Sequence, residues 1–105
     1  MKTIMLVCVA GMSTSLLVSK MQKAAEEQGI EANIFARSAQ EIEFALEQND
    51  VDVLLLGPQV RYMRKQIEEE LKGKNIPIEA INMQDYGMMN GQKVLEQALQ
   101  IIASK

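Results

Sequence analysis

The fold class that this sequence predicts is α/β: a three-layer open sheet of four parallel strands, flanked by helices on both faces. Three observations predict it. Ile4 to Val9 is an uninterrupted apolar run, and Val51 to Leu56 is another, broken only by Asp52. Neither alternates as a half-exposed strand would, so both read as strands buried on two faces. Helix-periodic segments separate these runs from two shorter strand candidates, giving the order strand, helix, repeated four times. Parallel strands in that order need crossovers, and right-handed crossovers place helices on both faces of the sheet.

Each element has its own signal. After the first strand, Ser15 to Gln28 reads as a helix with Leu16, Leu17, Met21, Ala24 and Ala25 on its buried side. Gly29 stands where a helix end wants a left-handed residue. Ala32 to Ala36 is a short strand candidate, and Ser38 with Glu41 forms a capping box that opens a helix burying Ile42, Ala45 and Leu46. Asn49 and Asp50 end it. Beyond the strand Val51 to Leu56, Gly57 and Pro58 turn the chain into a helix from Gln59 to Lys72, with Val60, Met63, Ile67 and Leu71 inward and Gly73 as its stop. Pro77 to Ile81 is a brief strand. The last helix runs from Gly91 to Ala103, capped by Asn90, with Val94, Leu95, Ala98, Ile101 and Ile102 inward.

Composition narrows what such a domain can do. A chain of 105 residues, 48% apolar and 24% charged, suits one hydrophobic core, so residues 1–105 are expected to form a single domain. No apolar run is long enough to cross a bilayer, and Met1 to Cys8 is too short for a signal peptide, which makes the cytoplasm the expected location. The net charge of -3 and the scattered lysines and arginines offer no continuous basic face for nucleic acid. Without histidine and with one cysteine there is no Ser-His triad, Cys-His dyad, disulfide or thiolate zinc site. No metal or cofactor is expected, and nucleophilic chemistry would fall on Cys8 or a hydroxyl.

Cys8 stands near the carboxyl end of the first strand, where open α/β sheets bind their ligands. A lone cysteine behind a valine and leucine run is by habit a small core hydrophobe. Its neighbours open a second reading. From Cys8 the chain passes Ala10, Gly11, Met12, Ser13, Thr14 and Ser15 straight into a helix, and a helix N-terminus offers unpaired N–H donors and partial positive charge. Gly11 permits a positive φ, and the hydroxyls of Ser13, Thr14 and Ser15 can cap the helix or bind an anion. A thiol at such a terminus is expected to be acidified, hence nucleophilic.

The stretch CVAGMSTSLLVSKM, from Cys8 to Met21, resembles the signature of the enzyme IIB component of the bacterial phosphoenolpyruvate-dependent sugar phosphotransferase system, in its lactose/cellobiose/diacetylchitobiose branch. VLLLGPQVRYM, from Val53 to Met63, and the pair Tyr86 and Gly87 extend the likeness over nearly the whole chain. The resemblance implies a phosphotransferase in which Cys8 accepts a phosphoryl group from a phosphohistidine of enzyme IIA. Cys8 would pass that group to a sugar held by the membrane enzyme IIC, here of the cellobiose type. It also implies that the loop from Ala10 through Gly11, Met12, Ser13 and Thr14 to Ser15 holds the phosphoryl group. Gln59, Tyr62 and Tyr86 are candidates for the border of the site. No lysine or arginine lies between Cys8 and Ser19, so dipoles and hydroxyls would stabilise the phosphate and leave it free to move on.

The alternative is a low-molecular-weight tyrosine phosphatase or an arsenate-reductase-like enzyme. That family has an arginine six residues after its cysteine, and here the residue is Thr14; Asp85 is the formal candidate for its general acid. A receiver-like module would need carboxylates at the carboxyl ends of the first and third strands, where this chain has Cys8 and Gly57. Met12 and the pair Met88 and Met89 are candidates for an adaptable partner surface, with core filling as the other reading.

Overall fold

The computed structural model describes residues 1–8 and 12–104, with the backbone alone for 12 and 13. Four strands, β1 (Lys2–Cys8), β2 (Ala32–Ser38), β3 (Val53–Leu56) and β4 (Ile78–Ala80), form one sheet in the order β2-β1-β3-β4. Every pairing is parallel. The helices are α1 (Met12–Glu27), α2 (Ile42–Gln48), α3 (Arg64–Glu70), α4 (Met83–Gly87) and α5 (Gly91–Ala103), and 3-10 turns at Ala39–Glu41 and Pro58–Met63 lead into α2 and α3.

Strand alternation divides the core in two. Ile4, Leu6, Val53 and Leu55 pack with Leu17, Met21, Val94, Leu95 and Ala98 beneath α1 and α5. Met5, Val7, Leu54 and Leu56 pack with Ile42, Ala45, Val60, Ile67 and Leu71 beneath α2 and α3. Both faces of β1 and β3 are therefore dry, which is what the unbroken apolar runs required.

The expected helix from Gln59 to Lys72 is instead a 3-10 turn followed by seven residues of α-helix. Pro58 starts the turn, and Met63 is half-buried where the helical spacing places it inward. Strand β3 begins at Val53: Asp52 sits before it, and its carboxylate accepts the Thr3 N–H at 2.8 Å. That bond occupies the carboxylate at the partly buried amino end of the sheet, where an unpaired charge would be costly.

Helix α1 starts at Met12, not Ser15, and its buried stripe is Thr14, Leu17, Val18, Met21 and Ala25. Those residues keep the i, i+3, i+4, i+7 spacing, which turns Leu16 outward (53% exposed) and leaves Ala24 half-buried. Gly29 (φ 68) and Gly73 (φ 92) take the left-handed conformation expected at their turns. Helix α5 spans the expected residues with Asn90 Oδ1 accepting the Lys93 N–H; Ile101 and Ile102 are only half-buried in its last turn.

Candidate active site at the carboxyl end of the sheet

In the order β2-β1-β3-β4 the chain leaves β1 toward one edge, and after β2 it crosses to the other. The topological switch point thus lies between the carboxyl ends of β1 and β3, the place where open α/β sheets form ligand crevices. Cys8 ends β1 and Gly57 follows β3.

By the alternation of Ile4 and Leu6, Cys8 falls on the α1/α5 face of the sheet. It is a free thiol, 3% exposed. On its other side β2 supplies Ser38, paired with Cys8 in the register. Burial alone would suit the small-hydrophobe reading; the helix beyond the thiol sets it apart. Helix α1 begins four residues on, at Met12, and its first turn carries no acidic residue to compete with a bound anion.

Thr14 lies in that first turn. It is fully buried, and its Oγ1 has no hydrogen-bond partner among the described residues. A hydroxyl left unpaired in a core costs about 1–3 kcal/mol, so it marks either a deficit in packing or a group kept for a ligand. Thr14 also holds the position at which the phosphatases carry their arginine. This position therefore carries no cation.

Gly57 closes the opposite side. Its N–H donates to the Val7 carbonyl at 2.9 Å, joining the two strand ends. A Cβ placed on Gly57 would sit 3.2 Å from Gln59 Oε1, 3.4 Å from Val7 O and 3.8 Å from the Tyr86 ring. The φ of -65 is open to any residue, and the tightest of these contacts is the far end of the exposed Gln59 side chain, so a small side chain would fit here once Gln59 shifts. Gln59 and Tyr86 thus both approach Gly57, whose N–H is bonded to the residue that precedes Cys8. Tyr86 is buried in the α1/α5 core with Leu6 and Leu17. Tyr62, the third expected border residue, is 79% exposed, and Ser15 is exposed on α1. Ala10 and Gly11 lie outside the described residues, as do the side chains of Met12 and Ser13.

Two arginines near this end are already engaged. Arg37, next to Ser38 on β2, donates Nη1 to its neighbour Ala36 O at 2.8 Å and stacks 4.8 Å from the Phe35 ring centroid. Arg61 Nη1 meets the Met83 sulfur at 2.9 Å. The Glu41 carboxyl is held below the ordinary range, first by the Ser38 backbone N–H and then by the Ser38 hydroxyl, each at 3.0 Å. It anchors the turn after β2 and takes no part in the cluster. A groove of about 1010 Å³ runs along β4 between α3 and α5, lined by Leu71, Ile78, Glu79 and Ile101. It contains no thiol and lies on the β4 edge of the sheet, away from Cys8 at the end of β1.

Sequence reasoning misses α4. It leaves Asp85 and Tyr86 in a turn, whereas Met83–Gly87 is a helix capped by Asn82 Oδ1, which accepts the Asp85 N–H at 3.1 Å. The signal is present in Asn82 with Asp85 three residues later, an N-cap with an acidic first turn. Met89, a candidate for the partner surface, is half-buried against the α1/α5 core, and its φ of 52 turns the chain from α4 into α5.

Among the described residues no group of side chains could hold a metal ion, and no helix is long and apolar enough to cross a membrane. The model of the PTS system, lactose/cellobiose-specific IIB subunit, matches residues 3–97. The galactose-specific EIIB component of Lactococcus lactis subsp. cremoris is 52% identical over 100 residues, covering 92% of this chain and 93% of the relative. The oligo-beta-mannoside-specific EIIB component of Bacillus subtilis is 39% identical over the full length of both chains. The solution structure of the cellobiose-specific phosphotransferase IIB component from Borrelia burgdorferi superposes with a TM-score of 0.80 at 45% identity, covering 99% of this chain and 94% of that one. Sequence and four-stranded parallel sheet agree: the chain belongs to the lactose/cellobiose IIB family of the phosphotransferase system, the phosphotransferases that carry phosphoryl groups for sugar transport.

Proposed function

We propose that Cys8 is the phosphoryl carrier of a single domain formed by residues 1–105 and acting in the cytoplasm, loaded by enzyme IIA and discharged at a membrane enzyme IIC holding a cellobiose-type β-disaccharide. The Cys8 thiolate attacks phosphorus of the enzyme IIA phosphohistidine; the P–N bond breaks as P–S forms, and the imidazole nitrogen leaves with the electron pair and takes a proton. A sugar hydroxyl then attacks phosphorus, gives up its proton, and the P–S bond breaks to return the thiolate. Such in-line transfer depends on positioning and on stabilising the dianion.

The observation that carries the reading is the buried, unpartnered Thr14 hydroxyl in the first turn of the helix after Cys8. It supplies a donor where a phosphatase would have a cation, alongside the backbone of Ala10 to Ser15. Gln59 and Tyr86 wall the site from the β3 side.

The surface around this end supports partner docking. Apart from Met1, the exposed large apolar residues among those described are Leu16, Phe44, Tyr62, Met83 and Met88. All belong to segments that begin just beyond the carboxyl end of a strand, the end of the sheet at which Cys8 lies, and enzyme IIA is the occupant assigned to them. The sugars named for the relatives differ, from galactose to oligo-beta-mannoside to cellobiose, which supports assigning sugar choice to the membrane component.

The test is intact-mass spectrometry after incubation with phosphoenolpyruvate, enzyme I, the phosphocarrier protein and a cellobiose-type enzyme IIA. One added phosphoryl group, absent from Cys8→Ser, is expected. An adduct that persists in Cys8→Ser, or no adduct on the wild type, overturns the assignment.

A further inference from the structure

We infer that Gln97, on the far helix α5, is a positioning residue for partner docking: its side-chain amide fixes the start of α4 and so the orientation of the surface beside Cys8. The inference rests on the docking reading above. Gln97 Nε2 donates to Ala80 O at 2.9 Å, and its Oε1 accepts the Asn82 N–H at 3.2 Å. Ala80 is the last residue of β4 and Asn82 is the cap of α4, so one amide spans the junction as a neighbouring strand would.

Tyr86 holds the middle of helix α4 in the α1/α5 core, and the amide ties its start. Five residues are too few to hold a helix in water without tertiary contacts. Helix α5, by contrast, is anchored by buried Val94, Leu95 and Ala98, and at Gly91 it lies against the backbone of α1. The amide therefore passes the position of a rigid element to a marginal one. The side chains that α4 carries make this matter: Met83 begins it, 60% exposed and bonded through sulfur to Arg61, and Met88 comes directly after it, 67% exposed. Without the amide, both junction groups turn to water and the methionines sample orientations among which a partner must select, which weakens apparent affinity.

Steady-state transfer from phosphorylated cellobiose-type enzyme IIA tests this in the full chain. Gln97→Leu is expected to raise KM about fivefold, the equivalent of losing a hydrogen bond's net contribution, with kcat little changed. Gln97→Glu, which keeps the acceptor for Asn82 and loses the donor to Ala80, is expected to fall between. Ile67→Val, on the opposite face of the sheet, provides a control for general loss of stability and should leave KM as it was. If Met83→Asp raises KM and Gln97→Leu does not, or if Ile67→Val raises it equally, Gln97 has no positioning role. If neither Met83→Asp nor Met88→Asp alters KM, the docking reading itself fails and this inference with it.

Discussion

The two faces of the sheet are covered in different ways. On one, α1 and α5 are long, regular helices of 16 and 13 residues, so close that Gly91 has no room for a side chain. On the other, α2 and α3 are two-turn helices of seven residues each, entered through 3-10 turns. Cys8, Thr14 and Tyr86 all belong to the first face. Phosphoryl transfer requires sub-ångström positioning, and a close-packed helix pair resists displacement where short, stepped segments yield. The difference teaches that the proposed carrier Cys8 lies on the more closely packed of the two faces.

Substitution can break that contrast or sharpen it. The largest effect is expected from Gly91→Ala: its Cβ would lie 2.6 Å from the Lys20 carbonyl carbon and 2.7 Å from the Met21 nitrogen, both backbone atoms. Forcing α5 off α1 should cost about 3 kcal/mol in urea unfolding. It should also slow transfer at Cys8. Removing one methyl from the other face, Ile67→Val, should cost about 1 kcal/mol and leave transfer unchanged while the protein is folded. Equal loss of transfer in both variants would erase the distinction between the faces.

Thr14→Val should act with the opposite sign on stability. Replacing an unpartnered hydroxyl by a methyl of similar shape is expected to stabilise the unphosphorylated protein by about 1 kcal/mol, with transfer slowed. A variant that is both more stable and fully active would show the hydroxyl to be idle.

The smallest effect concerns Glu41, at the exposed turn after β2. Its folded carboxyl titrates below the ordinary value because of Ser38, so its stabilisation is complete above that ordinary value and disappears as pH falls through the depressed one. The difference in Tm between wild type and Glu41→Gln should be small at neutral pH and vanish in acid. A difference that grows in acid would mean that another group governs this turn.

The sequence by itself determined the layered parallel sheet, the division of β1 and β3 into two buried faces, the glycine stops, α5 with its cap, and the cysteine at the mouth of a helix. These come from periodicity and from residue types whose conformational limits are local. Only the tertiary structure decided that Leu16 faces outward, that Met83–Gly87 is helical, that Gln59 and Tyr86 both approach Gly57, and that Gln97 reaches back from α5 to Ala80 and Asn82. The reason is physical. A five-residue helix has no stability of its own to show in a periodic pattern, and contacts between segments far apart in the chain depend on how the layers close, which no local spacing encodes.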